Sequence, residues 1–391
     1  MPASLVQPDL EFKANILRLG AHDLSACYQC GTCSVVCPIA TEANPFPRKE
    51  MIWVQWGLKD RLVADSGVWL CHQCNHCNTY CPRDARPADV MAALREYSIG
   101  HYAVPRFMGN AVSAPKYLPL LLAFPAVILL LVLAFLGHLS ALPAGTIVFS
   151  KFMPIPYIEG IYVAAVGTAV CSAVLSGLRY WKALNKASPL PGGNSMATPL
   201  RSTLRDIFQH KVFQRCAQRW EDSRETYKTN LRNTHLAIFY GFLGLVVTTS
   251  SVAIGIYVFH YLTPWPLWHP VKILGNGSGV AVLVACGIFF SSRLTYGEKA
   301  GKNSYTDWLF LAALGATVLT GFLCELFRLG GAPALAYPTY FIHLVLIFFL
   351  LVYLPYSKFA HLIYRSVAML HEAQGEVSHM KTRHFDSNAS S

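Results

Sequence analysis

Eight of the chain's twelve cysteines fall in two copies of one pattern, CYQCGTCSVVCP from Cys27 and CHQCNHCNTYCP from Cys71. Both read C-x2-C-x2-C-x3-C-P and close on a proline, Pro38 and Pro82. This spacing wraps a cubane iron–sulfur cluster. Three close thiolates take three corners, and the fourth reaches the neighbouring cluster in two-cluster proteins. On that logic Cys27, Cys30, Cys33 and Cys81 hold one [4Fe–4S] cluster, and Cys71, Cys74, Cys77 and Cys37 hold the second. Structural zinc is the competing chemistry. Zinc sites pair two CxxC units across a longer loop and have no third cysteine at the next x2 step, so zinc fits poorly. His72 and His76 lie among these cysteines, but eight thiolates already complete two clusters. Both are read as neighbours that tune potential by hydrogen bonding. Cys171, Cys216, Cys286 and Cys324 are scattered and receive no role.

Two cubanes in series relay electrons over short gaps. No flavin or nicotinamide site accompanies them: GNGSG (275–279) lacks a preceding strand and reads as a loop leading into a helix. The receiving centre is therefore sought among histidines, because b-type haem in a bundle is held by imidazoles from facing helices. His343 and His361 are eighteen residues apart. On one helix that is five turns and about 27 Å, on a single face. His235 and His260 are twenty-five residues apart, close to seven turns and about 37 Å. Pairing by depth gives His235 with His361 at one end and His343 with His260 at the other. The two spacings differ by about 10 Å, which leaves His138 and His269 as rivals to His260. Glu159, Glu325 and Arg328 near the outer ends suit either proton transfer at a quinone site or anchoring at the interface. No catalytic residue is assigned.

These groups need elements to carry them. The 391 residues are 53% hydrophobic and only 14% charged, against roughly a quarter charged in a soluble domain. The deficit lies in six apolar stretches, 117–139 and roughly 157–178, 235–260, 271–292, 305–327 and 337–357, each long enough to cross a bilayer. The connection from Arg179 to Arg232 holds eleven Lys/Arg against four acids, and 293–304 adds Arg293, Lys299 and Lys302. The connections at 140–156, 261–270 and 328–336 hold at most one basic residue each. The positive-inside rule then makes the basic connections cytoplasmic and puts both termini on that side. The net charge of +11 is thus a topology signal. Anionic lipid is its ordinary partner, and no nucleic acid is expected. The first residues lack the apolar core of a signal peptide, so a dense cysteine pattern on the cytoplasmic side reads as redox chemistry and not disulfides.

Within residues 1–100, Met51, Trp53, Val54, Leu58 and Leu62 predict a helix in 44–62, with Pro47 in its first turn, and RPADVMAALREYS (86–98) predicts another. The expected fold is all-α: an α-helical two-cluster ferredoxin domain (1–100), a linker (101–115), a six-helix transmembrane haem-b bundle (116–365) and a cytoplasmic tail (366–391).

The two halves resemble known families. Residues 20–98, through the two cysteine motifs, resemble the iron–sulfur subunit of heterodisulfide reductase. Residues from about 233 to 364, through THLAIFYGFLGL, IHLVLIFFLLVYLP and SKFAHLIY, resemble the haem-b subunit of heterodisulfide reductase and the gamma subunit of respiratory nitrate reductase. Their fusion resembles the QmoC family, the membrane subunits of quinone-interacting membrane-bound oxidoreductase complexes. The resemblance implies QmoA- and QmoB-type flavoprotein partners, menaquinone as the lipid-soluble substrate, and adenylylsulfate reductase as the eventual soluble partner. It also maps the last-helix histidine pair onto His343 and His361 and an earlier one onto His235. The nitrate reductase family has a further histidine ten residues on, where this chain has Leu245, so one or two haems are expected. The expected role is an electron-transfer subunit in the cytoplasmic membrane, with the direction of flow open. The alternative is a membrane redox sensor or transporter with regulatory clusters and no haem.

Overall fold

The computed structural model describes residues 7–139, 142–143, 145–190, 196–210, 226–261, 263–297 and 304–389, and among them there is no strand. The basic connection's residues 191–195 and 211–225, with Lys299, Lys302 and Cys216, lie outside the described residues.

Among the described residues seven α-helices precede Ala103: α1 (Leu10–Arg18), α2 (Thr32–Val35), α3 (Arg48–Gln55), α4 (Lys59–Val63), α5 (Gly67–Leu70), α6 (His76–Thr79) and α7 (Pro87–Tyr102). The Asp9 carboxylate caps α1 by accepting from the Phe12 amide at 2.7 Å. The stripe expected over 44–62 is present but split between α3 and α4. Met51, Val54, Leu58 and Leu62 are buried, while Trp53 is only partly so. Gly57 makes the break, at φ +68 with its carbonyl accepting from Asp9 N at 2.9 Å. A Cβ there would meet the Asp9 carbonyl oxygen at 2.8 Å, so only glycine fits. Pro47 stands just before α3, at its N-cap, and α7 opens on Pro87. Phe12, Ile16, Leu24, Met51, Leu62 and Met91 form one core, with Cys27, Cys37, Cys71 and Cys81 packed against it.

After α8 (Arg106–Ser113), six helices among the described residues are long and apolar enough to cross a membrane: α9 (Leu118–Phe135), α11 (Ile155–Ala187), α13 (Thr226–Tyr257), α14 (Pro270–Tyr296), α15 (Tyr305–Leu329) and α16 (Pro333–Val352). Short α10 (Phe149–Phe152) and α12 (Ala197–Gln209) lie between them, and α17 (Ala360–Ala389) ends the chain. Helix α16 packs on α9, α11 and α15, and α14 joins α13 to α15. GNGSG proves to lie inside α14 and not in a loop. Gly275 and Gly279 let Thr248 and Phe322 close in, since an added Cβ would sit 2.9 Å from each. Membrane helices use glycine this way to bring backbones together.

Two expectations about the histidine-bearing helices are corrected. Helix α16 stops at Val352, a 3-10 turn spans Leu354–Tyr356, and α17 begins at Ala360. Pro355 has no amide hydrogen to donate and disfavours a helical residue before it. His343 and His361 therefore belong to different helices and share no single face. Helix α13 ends at Tyr257, and Tyr261 N closes back on Gly255 O at 2.9 Å. His260 is left exposed beyond the helix at φ +54.

The cluster region docks on one end of the bundle, called here the cluster side. Trp69 stacks on Tyr364 with ring centroids 4.8 Å apart, and Tyr180 meets both rings edge-on. The Tyr180 hydroxyl donates to Asp65 O at 3.2 Å and that of Tyr102 to Val63 O at 3.0 Å. Helix α17 packs on α5, α11 and α12. Residues 366–389, expected as a tail, continue that helix.

Candidate functional site

The duplicated cysteine motif folds into a duplicated backbone. Gln29 and Gln73, at matching positions, take φ +59 and +55. Gly31 and Asn75, again matching, take φ +84 and +62 and precede the short helices α2 and α6. Glycine and asparagine are the residues that tolerate this conformation best. The same residue choices at the same spacing thus wrap two equivalent loops.

The fold crosses the two motifs. Burial pushes the Cys33 thiol up to about 11, and Cys27, Cys30 and Cys81 lie near enough to add to it. Burial pushes Cys37 up to about 12, with Cys71 and Cys74 contributing. Cys77 is raised as well, by burial first and then by Cys71, Cys74, Cys33 and Cys37. Cys30, exposed, is lowered by the Thr32 hydroxyl 3.4 Å from its sulfur. Among the described residues no three His, Cys, Asp or Glu side chains converge on a single-ion site. Backbone and side-chain N–H groups aim at sulfur: Gln29 Nε2 at Cys27 (3.4 Å), Gln73 N at Cys71 (3.3 Å) and Ala85 N at Cys81 (3.3 Å). Such bonds favour thiolate and tune cluster potential.

The second loop is clamped from the bundle side. Arg365 Nη1 donates to Cys71 O at 3.3 Å and Trp69 O at 3.4 Å, and Nη2 lies 3.0 Å from His72 Nδ1. Arg95 donates to Val68 O (2.8 Å), to Gln73 Oε1 (3.1 Å) and to Cys71 O. Burial, then Arg365 and Arg95, pushes His72 down to about 2, so its ring is neutral and accepts.

Arg365 stands one turn after His361 on α17, on the same face. His361 Nδ1 bonds the Lys358 carbonyl at 2.6 Å. Burial pushes His361 down to about 4; the Lys358 carbonyl opposes this, and Arg365, Lys358 and Arg95 add to it. His235, near the cluster-side end of α13, lies within electrostatic reach of His361, His210 and Arg365. His210 meets its ring edge-on at 5.5 Å. The expected partners His235 and His361 are thus brought together. His343 is elsewhere, its Nδ1 3.0 Å from Thr320 Oγ1. Gly321 makes room for its ring, since a Cβ there would stand 3.1 Å from Cε1. His343 is ten residues inside α16, about 15 Å from that helix's far end, whereas His260 lies past the far end of α13. The expected His343–His260 pair is not formed. His138 bonds Phe152 O at 2.7 Å and His269 caps α14 through Val271 N, so both rivals have structural roles. Glu325 pairs with Lys272 at 2.8 Å and Glu159 accepts from the Tyr257 hydroxyl.

The sequence reading missed His210, Arg95, Lys358 and Arg365. Arg365 and Lys358 carried a local signal, four residues after and three before His361; His210 and Arg95 arrive by tertiary contact.

The fold and site define a helical protein with a two-cluster iron–sulfur domain ahead of six membrane-length helices. Residues 23–85 match the 4Fe–4S dicluster domain. Residues 112–382 match the family described as citrate utilization protein B, and the chain belongs to that family. A protein of Archaeoglobus profundus, described as like the C component of heterodisulfide reductase, is 40% identical over 95 residues, 23% of this chain and 50% of that protein. The C component of the H(2):CoB-CoM heterodisulfide,ferredoxin reductase of Methanothermobacter thermautotrophicus is 35% identical over 88 residues, 22% of this chain and 47% of that one. This chain therefore spans about half the length of these two relatives. The E component of the dihydromethanophenazine:CoB--CoM heterodisulfide reductase of Methanosarcina thermophila is 25% identical over 218 residues, 52% of this chain and 77% of that protein. No solved structure matches.

Proposed function

We propose that this chain is the membrane electron-transfer subunit of a quinone-linked oxidoreductase complex of the QmoC kind. In this reading residues 1–100 form the cluster domain, 101–115 the linker and 116–365 a cytochrome b domain, with 366–391 as a terminal segment. Cys27, Cys30, Cys33 and Cys81 hold one [4Fe–4S] cluster, and Cys71, Cys74, Cys77 and Cys37 the other. The contact that carries the reading is Arg365, which binds the Cys71 carbonyl and stands one turn from His361.

The residues near His361 fit a b haem. His235 and His361 come from two helices within electrostatic reach of each other, and the Nδ1 hydrogen bond of His361 leaves Nε2 as its ligating nitrogen. Arg365 and Arg95 supply positive charge near His361 of the sign that propionates need. His343, held through Nδ1 by Thr320, is a ligand for a second haem whose other ligand is open. Haem and clusters, when bound, would supply one-electron centres; the chain orients the ligands. Menaquinone is the lipid-soluble substrate, and flavoproteins of the QmoA and QmoB type are the partners. Adenylylsulfate reductase lies further along, in sulfur metabolism. Relatives that match separate C and E components of heterodisulfide reductases support this fused arrangement.

The test is optical and EPR spectroscopy of the purified chain before and after a menaquinol analogue. Haem bands reduced by quinol are expected, and His235→Ala and His361→Ala should each remove the same band while both cluster signals persist. Fully loaded protein without such bands would end the reading.

A further inference from the structure

Helix α12, on the cluster side, carries an exposed apolar stripe. Met196 at its N-cap, Leu200, Leu204 and Phe208 recur every four residues and are 41–47% exposed. At about 100° per residue they cover about 120° of the helix surface. Arg201 and Arg205, both exposed, form the adjoining strip, within about 60° of Phe208. Pro199 and Thr203 are buried on another side, and the helix packs on α17. Its one acid, Asp206, is half-buried next to them.

An exposed apolar stripe edged by arginines is the pattern of a helix lying in a bilayer interface. Two observations favour lipid over a protein partner. The stripe ends against the outer flank of a membrane-length helix. The Tyr240 hydroxyl of α13 donates to Phe208 O at 2.6 Å, and the Phe208 ring lies 6.2 Å from that of Phe239. Tyr240, Leu243, Val246 and Val247 are exposed along α13, whose apolar span starts at Arg232. Tyr240 therefore lies about 12 Å inside that span, a depth that a water-borne protein does not reach. The second observation is charge. Arg201 and Arg205 join Lys182 and Lys186, exposed in the last turns of α11, and this sign attracts anionic headgroups.

We infer that α12 is an interfacial anchor: its stripe enters the acyl chains beside α13, and Arg201 and Arg205 bind the phosphates of anionic phospholipid. The long arginine side chains reach back to the headgroups from an apolar face. The inference is independent of the quinone-linked reading and needs only a membrane-spanning bundle. It also bears on the histidine pair. His210 follows α12 directly, and its ring meets that of His235 at 5.5 Å, so the seating of α12 in lipid positions His210 beside His235.

The test places dansylalanine at position 204 of the full chain in lipid nanodiscs and measures quenching by brominated acyl chains against unbrominated lipid. The same probe at Leu131, exposed on α9, marks contact with acyl chains, and at Val35, exposed on the first cysteine loop, it marks water. Quenching at 204 should be at least half that at 131, with little at 35. Brominated phosphatidylglycerol, as a minor fraction, should quench at 204 about twofold or more better than brominated phosphatidylcholine. Arg201→Gln with Arg205→Gln should remove that preference while insertion persists. If the chain labelled at 204 fails to assemble, position 200 carries the probe. Quenching at 204 as weak as at 35, with 131 quenched, would overturn the inference and make the stripe a protein-docking face. Insertion with no preference for phosphatidylglycerol, or a preference that survives both substitutions, would overturn the role of the two arginines.

Discussion

At the scale of single residues, the buried acid Glu50 sets a pH dependence. It lies on α3 in the core beneath the clusters, fully buried, with Lys49 Nζ 3.1 Å away and shared with Asp65 at 2.8 Å. Burial first, and then the charge of Asp65, pushes Glu50 up to about 8, against the pull of Lys49. Between the ordinary carboxylate value of 4.5 and about 8, the folded state binds a proton that the unfolded chain does not. Stability from this group is therefore full below 4.5 and falls as pH rises, by at most about 1.4 kcal/mol per pH unit. Urea denaturation of the loaded protein, followed by cluster absorbance, should show decreasing stability from pH 5 to pH 8. Glu50→Gln should flatten that slope and be the more stable protein at pH 8. An unchanged slope in the variant would remove Glu50 as its source. The cysteines were legible in the sequence because ligand spacing is local chemistry. Glu50 was not, because nothing near it in the chain says it will be buried.

At the scale of elements, the six apolar helices were legible from absent charge alone, and so was the helix opening on Pro87. Errors arose where a local breaker outweighed periodicity. Pro355 divides the helix expected to carry both His343 and His361, Gly57 divides the stripe from Met51 to Leu62, and α13 stops short of His260. Glycine misled in the other direction: GNGSG is interior to α14 because a lipid-facing bundle prizes close backbone approach over helix propensity. The docking of the cluster region was invisible, since Trp69, Tyr102, Tyr180 and Tyr364 meet only in three dimensions. That aromatic group predicts the effect of Tyr180→Ala. The ring is fully buried and touches three other rings, and truncating a buried aromatic costs about 3–5 kcal/mol. The loss falls on docking, because Tyr180 belongs to α11 and its hydroxyl bond goes to Asp65. Limited proteolysis should cut the 103–117 connection several-fold faster in the variant while both cluster signals persist. Equal cleavage rates would show that docking is held elsewhere.

At the scale of the whole molecule, the ends of the bundle are chemically unlike. The cluster side gathers the cysteine loops, the basic α12 and Arg95, Lys358 and Arg365, and α17 ties them together. The far side ends in the short connections around 140–156, 261–270 and 330–332, where basic residues are scarce. The sequence showed this asymmetry as charge, without showing that the terminal helix would bind the cluster loops to the basic end. Translocation retains Lys- and Arg-rich connections on the cytoplasmic side, and acids count little. The eleven basic residues of 179–232 therefore predict a cytoplasmic cluster side. Alkaline phosphatase fused after His138, at the far end of α9, should be active in cells, and a fluorescent protein fused at the C-terminus should fluoresce. With the pattern reversed, the clusters would face away from the cytoplasm, and a cytoplasmic electron partner would be ruled out along with the orientation. Because α17 carries His361 and packs beside the cluster loops, no arrangement of this fold can separate the sidedness of the clusters from that of the His235–His361 pair.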